Sequence, residues 1–520
     1  MSDTNKEPSG FRLPFMQGVL PIKAAQIPNE LIAALTLAAL AVPEVMGYTK
    51  IAGVPVILGL YTILIPMALF ALFGSSRHLV VGADSATAAM LAAGLVGLAA
   101  VGSDQYVALA AVLALMSAGF LILARIIGLG FMADFLSRTV LIGFLTGVGI
   151  QVAFGEISGM LGLKGGGHGT LDKVWHDLQQ IEQVNVYALV VALSVLLVIV
   201  GSKKISKKIP GALIAVIGAI ILSWALGLKE HVHVLGTIPS GLPHIGLPKV
   251  DWSWALIGKL LPTAFAMFVV ILAQSAATSR AYAARYNETF SENTDLVGLG
   301  LANIGAGLSG TFVVNGSPTK TQMIDSAGGR SQLSLLFTAL IVLLVLLFLT
   351  GPLAYMPEAV LSAVVFLIGI DLIDIAGMKR IYQQRRPEFW VALITAVVVV
   401  FVGVEQGIIL AIVLSLIDHT RRGYRPKNAL LVPADSGVWN THPVPSYAEA
   451  EPGLVIYRFT HSMYYANAEQ LSEEITALAN KAEPPLRWLC IDASAVDDVD
   501  YSAAESLRSV FVILKEKGIH

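Results

Sequence analysis

A single cysteine, Cys490, stands in the 520 residues, so no intrachain disulfide is available and cysteine usage reveals no redox compartment. Charge is scarce too: 13% of residues are Asp, Glu, Lys or Arg, with a formal net charge of -2. In a membrane chain that balance says little about partners, because the sign that matters is the one in each loop; no nucleic-acid partner is expected. No basic segment followed by an apolar core and a cleavage site precedes the first long apolar run. Residues 1–27 therefore read as a polar N-terminal segment without a secretory signal peptide. No nucleophile–base pair and no metal-ligand cluster stands at working spacing, so neither an enzyme nor a cofactor or metal centre is expected. His231, His233 and His244, in the loop from Leu228 to Trp254, lack a nearby Cys or carboxylate and read as a solvated loop.

What the chain has in excess is apolar surface. It is 55% hydrophobic, and its apolar runs repeatedly reach the roughly 20 residues that cross a bilayer. The sequence predicts an α-helical polytopic membrane protein with a transmembrane domain over 28–427. Spans fall near 28–48, 54–73, 77–101, 106–128, 131–160, 186–201 and 209–227, then near 255–284, 295–311, 317–328, 330–351, 356–373, 388–403 and 405–421. Seven plus seven gives 14 spans, and an odd number in each half inverts one half relative to the other. Lys and Arg collect after even-numbered spans, at Lys203, Lys204, Lys207 and Lys208, at Arg280 and Arg285, at Lys379, Arg380, Arg385 and Arg386, and at Arg421, Arg422, Arg425 and Lys427. Both termini are therefore expected in the cytoplasm, with the chain in the cell (inner) membrane.

Two of these spans are unusually polar. The stretch GSSRHLVVGADSATAA, from Gly74 to Ala89, reads as a helix start carrying Ser75, Ser76, Arg77, His78, Asp84, Ser85 and Thr87. NGSPTKTQMIDSA, from Asn315 to Ala327, lies in the corresponding place of the second half and repeats its Gly-Ser and Asp-Ser-Ala pieces. Polar groups persist at membrane depth where they face protein or water, so paired, interrupted helix starts of this kind mark a transporter's central site. Asn315 also fits a glycosylation acceptor, which its intramembrane place argues against. Gly143 and Gly147 permit close helix packing without establishing dimerisation. After about residue 428 the composition becomes that of a soluble α/β module. Strands are expected at Leu454–Phe459 and Leu486–Ile491, and helices at Asn467–Lys481 and Ser502–Lys517, the last capped by Ser502. Its sheet lacks a closing strand at His520, so a truncated domain is expected.

Several motifs in order resemble the SulP family of anion transporters, the group of sulfate permeases, bicarbonate transporters, pendrin and prestin. They are Gly59-Leu60-Tyr61 with Pro66, Gly74 to His78 with Val81-Gly82, Leu129 to Ser137 with Gly143-Phe144, and Pro357 to Ser362. The tail, 428–520, resembles the cytoplasmic STAS domain of that family. The resemblance implies a seven-plus-seven inverted-repeat fold shared with uracil permeases. It also implies core and gate subdomains, elevator-like alternating access and a homodimer.

The residues suit an anion. Half-helices entering from opposite sides aim unsatisfied N–H groups and positive dipole ends at one point. Ser85, Ser317, Thr319 and Thr321 offer hydroxyls, and Lys320 a full charge where the family often carries Arg. Tyr48 would shape the wall, Gln274 and Ser275 complete it, and Arg77 and His78 position the helix start. Pro43 would break the first span beside Glu44. Glu44 repels an anion unless protonated, which makes it the candidate proton-coupling residue; many family members are neutral there. Asp84, where vertebrate relatives carry an aromatic, has three readings: a helix cap, a proton site or a sodium ligand. The expected function is secondary active, proton-coupled symport of a small oxyanion or carboxylate such as sulfate, bicarbonate or a dicarboxylate. Chloride/bicarbonate exchange and sodium-coupled bicarbonate symport are the alternatives within transport, and an anion channel or a nucleobase permease outside it.

Overall fold

In a computed structural model the chain is described at residues 15–128, 138–164, 170–206, 210–236, 241–403, 406–407, 409–411, 413–414, 417, 426–434, 438–444, 446–481 and 486–520. The Leu129 to Ser137 motif and most of the fourteenth span lie outside these residues. The chain divides into two units, residues 1–412 and 413–520.

The first unit opens with α1 (Ile27–Ala52) and α2 (Val56–Phe73), then strand β1 (Val81–Gly82), α3 (Ser85–Gly94), α4 (Asp104–Ile127), α5 (Arg138–Gly155), α6 (Ile157–Leu161), α7 (Thr170–Gln179), α8 (Val186–Ile205) and α9 (Gly211–Leu226). A second run follows: α10 (Trp254–Tyr286), α11 (Glu292–Leu308), β2 (Asn315–Gly316), α12 (Pro318–Ser326), α13 (Leu333–Phe348), α14 (Thr350–Leu353), α15 (Glu358–Leu372), α16 (Ile375–Gln384) and α17 (Arg386–Phe401). Among the described residues, 7 helices are long and apolar enough to cross a membrane. Helix α1 stops at Gly53, whose φ of 73° lets its N–H return to the carbonyls of Thr49 and Lys50. Pro43 does not break α1, contrary to the sequence reading. The helix is clasped by α2, α3, α13 and α15, and such neighbours hold a membrane helix together across a proline.

The polar stretch after α2 also departs from expectation. No helix begins at Gly74; the chain runs extended to Asp84, and α3 starts at Ser85. Residues 309–317 form the matching arm ahead of α12. The two arms meet as an antiparallel pair, Val81 opposite Gly316 and Gly82 opposite Asn315, from which α3 and α12 depart. Extended backbone at membrane depth needs partners from the protein itself. Ser317 N donates to Val80 O (2.8 Å), and Val80 N to Thr321 Oγ1 (3.0 Å). Asn303 bonds Val314 at both its N–H (3.0 Å) and its carbonyl (3.1 Å). Asp295 Oδ1 accepts from the N–H groups of Ser75 (2.8 Å) and Ser76 (2.9 Å), and Gln332 Nε2 donates to the carbonyls of Ser76 and Leu79 (both 2.8 Å).

The helices sort into two bundles. One apolar cluster is built by α1 to α4 and α10 to α13; a second gathers α6, α8, α9 and α15, with α5 packed on α15 and α17. Gly143 and Gly147 serve this second bundle: a Cβ at Gly147 would stand 2.8 Å from the Ala396 carbonyl of α17, so the pair brings two helices of one chain together.

The second unit is a four-stranded sheet ordered β4 (Trp439–Pro443), β3 (Ala429–Pro433), β5 (Leu454–Arg458), β6 (Trp488–Asp492), with β5 and β6 parallel and the other pairs antiparallel. Helices α18 (Ala468–Lys481) and α19 (Tyr501–Glu516) bury Leu471, Ile475, Val510 and Leu514 with Val455 and Tyr457 of the sheet. The β3–β4 hairpin was not expected from the sequence. Ser502 is not the cap of α19: Asp500 Oδ1 accepts from Ala503 N at 2.7 Å.

Candidate functional site

The β1–β2 crossing places the starts of α3 and α12 beside the middle of α1 and of α10. Lys320, in the first turn of α12, is fully buried; its Nζ donates to Ala83 O (2.8 Å), lies 3.6 Å from Glu44 Oε2 and stands 4.6 Å above the Tyr48 ring. Tyr48 OH donates to the same Glu44 oxygen at 3.3 Å, one helical turn along α1. The local sequence dictates this arrangement. Pro318 and the Ser317 cap, whose Oγ accepts from Lys320 N (3.3 Å), start α12 where they do, and the cap turns Lys320 inward.

Asp84 caps α3. Its Oδ1 accepts from Thr87 N (2.9 Å) and from the Thr87 hydroxyl, and its Oδ2 from Asn315 Nδ2 (3.0 Å). A carboxylate at a helix N-terminus is stabilised by the free N–H groups and the dipole there. Asn315 Nδ2 also donates to Gln274 Oε1 (2.5 Å), and Ser275 Oγ donates to Asn315 Oδ1 (3.2 Å) while accepting from Gly316 N (3.1 Å). Among the described residues, Ser85 N, Ala86 N and Thr319 N make no hydrogen bond with the protein, and neither does the buried Ser85 hydroxyl. Free donors thus remain at the first turn of both half-helices.

The predicted residues divide into groups. Glu44, Tyr48 and Lys320 converge, and Asp84, Gln274 and Ser275 are joined through Asn315. Ser317 and Thr319 pair through their hydroxyls (3.1 Å), and the Thr321 hydroxyl is spent on Ser317 O (2.7 Å) and Val80 N. Arg77 and His78 are not at a helix start. They anchor the first arm: Arg77 donates to Leu20 O (2.7 Å), and His78 Nε2 lies 3.0 Å from Glu288 Oε2 with its ring stacked on Tyr286 (4.6 Å). Thr319, Gln322 and Ser326 form an exposed polar stripe along α12, running from the crossing toward the side where α1 begins. A polar stripe at that depth lines water rather than lipid.

Comparison with known proteins is decisive here. Residues 27–395 match the sulfate permease family, and residues 447–520 match the STAS domain. The chain belongs to the sulfate permease family. It is similar to a probable sulfate transporter of Mycobacterium tuberculosis, 33% identical over 496 residues that cover 94% of this chain and 88% of the relative. It is also similar to human solute carrier family 26 member 6, 28% identical over 86% of this chain and 62% of that one. Among solved structures, the murine Slc26a9 anion transporter in an inward-facing state covers all of the chain at 20% identity and a TM-score of 0.87, with 90% of its own length matched. The transmembrane domain of a cyanobacterial bicarbonate transporter matches 76% of the chain and 98% of its own length at 23% identity and a TM-score of 0.64. These structural likenesses concern the fold. Membership of the sulfate permease family makes the chain an integral, multi-pass anion transporter rather than an enzyme.

Within this sulfate permease, sequence reasoning missed Asn315, Asn303, Asp295 and Gln332. The first was visible only as a glycosylation acceptor, although its place beside Gly316 and Ser317 at the start of the polar stretch was the available signal. The other three lie inside helical runs, where nothing local distinguishes an arm-holding side chain from ordinary helix-to-helix bonding.

Proposed function

We propose that this permease carries a small oxyanion or carboxylate together with a proton, binding the anion between the first turns of α3 and α12. The observation that carries this reading is the 3.6 Å approach of Lys320 Nζ to Glu44 Oε2 inside the core bundle. One buried ammonium then has two claimants, the resident carboxylate and the arriving anion. Two negative groups around one cation in a poorly hydrated site repel each other. A proton taken up by Glu44 removes that conflict and leaves Lys320 to the anion, assisted by the free N–H groups of Ser85, Ala86 and Thr319. When the proton leaves, Glu44 reclaims the ammonium and the anion is released. Both oxygens of Asp84 are already engaged, which supports capping over sodium binding.

Alternating access follows from movement of the core bundle, which holds every group of the site, against the second bundle. The relative's name makes sulfate the first anion to test. In proteoliposomes with an internal pH dye, added sulfate, bicarbonate or a dicarboxylate is expected to acidify the lumen through the wild type. Glu44→Gln is expected to bind and exchange the same anion without moving protons. Anion entry without acidification, or an equally coupled Glu44→Gln, would overturn the reading.

A further inference from the structure

The core bundle (α1 to α4, α10 to α13) and the second bundle (α5 to α9, α15 to α17) meet mainly through apolar side chains, with Val365 and Val399 of the second bundle continuous with the core cluster. Among the described residues, a single ion pair joins them. Lys50, in the last turn of α1, places Nζ 2.9 Å from Glu156 Oε2 at the junction of α5 and α6, and it also donates to the Ser362 hydroxyl of α15. The Lys50 side chain is 30% exposed and that of Glu156 11%. The Glu156 oxygen is buried and receives no directed hydrogen bond, so its attraction to Lys50 is the main force holding it there. The site is shaped for this contact. A Cβ at Gly159 of α6 would stand 2.8 Å from Lys50 Nζ and press on the Ser362 hydroxyl, so glycine there is what lets the three groups meet.

Beside the pair lies a cleft of about 400 Å³ lined by Ala89 of α3, Gln151, Lys173, Val402 and Gln406. Ala89 is itself buried and lies one turn along α3 from Ser85. Lys173 is a second cation lining this cleft: its Nζ approaches to 3.7 Å the position a Cβ on Gly155 would take, in the residue before Glu156, and its other charged neighbour is Asp177 of its own helix. Lys173 and Glu156 belong to the same bundle, whereas Lys50 belongs to the other.

We propose that Lys50, Glu156 and Ser362 form a lock that holds the two bundles together at this face and must open in each transport cycle, with Glu156 passing from Lys50 to Lys173 as it does. Losing one partner normally leaves a buried charge stranded, which is costly. A second ammonium on the same bundle removes that cost, so the lock has two paired states rather than one paired and one broken. Lys50 and Glu156 are thus positioning residues that touch no substrate. The idea rests on alternating access as proposed above, but one arm of its test needs no anion.

In a Cys490→Ser background, Ala89→Cys is labelled in intact cells with a membrane-impermeant methanethiosulfonate reagent. Lys50→Gln and Gly159→Ala are each expected to raise the labelling rate about tenfold, as a two-state equilibrium shifts when one state loses a stabilising contact, whereas Glu156→Gln, which removes the pair from both states, is expected to shift it less. Lys50→Arg, which keeps the charge, is expected to label like the parent. In the second arm, Lys50→Cys/Glu156→Cys is joined by a short bis-methanethiosulfonate and assayed for sulfate uptake. Uptake is expected to fall to background and return on reduction. Unchanged labelling in Lys50→Gln and Gly159→Ala, or full uptake by the cross-linked protein, would overturn the lock. Normal labelling shifts in a protein that moves none of sulfate, bicarbonate or a dicarboxylate would count against the transport reading instead.

Discussion

Lys320 lies where no solvent reaches it, and its Nζ is held by Ala83 O, Glu44 and the Tyr48 ring. A hydrophobic replacement therefore does two separable things. It removes the cation that an anion would meet, and it leaves Glu44 with the Tyr48 hydroxyl as its remaining partner. Lys320→Met is expected to abolish anion uptake and to lower the thermal midpoint of the purified protein. Adding Glu44→Gln should restore roughly 2 kcal/mol of stability without restoring uptake, because the stranded carboxylate is gone while the cation is still missing. Thermal unfolding of the four proteins of this cycle measures the coupling. Strictly additive losses would show that the two residues do not share an interaction. In the sequence, Lys320 and Glu44 were each readable as functional candidates from their chemistry at membrane depth. Their pairing was not, because neither carries a local sign of the other.

The elements that matter most are the two extended arms, and they are held by side chains from neighbouring helices. Asp295 of α11 accepts from Ser75 N and Ser76 N and from the hydroxyls of Ser75 (2.9 Å) and Ser279 (3.0 Å). Without it, buried donors at the start of the first arm lose their acceptor. Asp295→Ala is expected to destabilise the protein by about 3 kcal/mol, and Asp295→Asn by less, since an amide oxygen still accepts. A loss below about 1 kcal/mol on thermal unfolding would show that the arm is held by other means. The start of α12 was legible because Ser317 and Pro318 are a cap and a first-turn proline in sequence. The start of α3 was misread by several residues. Apolar Leu79, Val80 and Val81 continue the hydrophobic run, and only their pairing with the second arm shows them to be extended.

For the molecule as a whole, ion pairs connect the ends of helices that the Lys and Arg distribution assigns to one side. Lys203 of α8 meets Asp371 of α15 (2.7 Å), and Arg285 of α10 meets Asp325 of α12 (2.8 Å). Arg330 bonds Asp325 (2.9 Å), and its N–H donates to Glu30 at the start of α1 (3.0 Å). These contacts gather charged helix ends on one face at the beginning of α1, the face that the Lys and Arg distribution leads one to expect in the cytoplasm. Cys490, the lone cysteine, is exposed on β6 of the STAS unit and tests the expected cytoplasmic place of that unit without any mutation. An impermeant maleimide is expected to label it in permeabilised cells and to leave it unmodified in intact ones; labelling in intact cells would place the STAS unit outside. Within that unit the Arg458 bond to Asp492 (2.6 Å), together with the Ser494 N–H, holds the Asp492 carboxyl below the usual aspartate range. Its contribution to stability is therefore complete above the unfolded value and is lost as pH falls through the lower native one.

The sequence by itself determined the membrane class and the two polar stretches. Lipid imposes a length and an apolar composition on each crossing, and those are properties of contiguous residues. It also determined most of the chemistry on offer, down to Glu44, Asp84 and Lys320. Only the tertiary structure decided which of these groups meet. The Asn315–Asp84 bond joins residues 231 positions apart, and the Lys50–Ser362 contact joins residues 312 apart. Their partners are chosen by how the arms cross and how the two bundles pack, and no run of neighbouring residues encodes that.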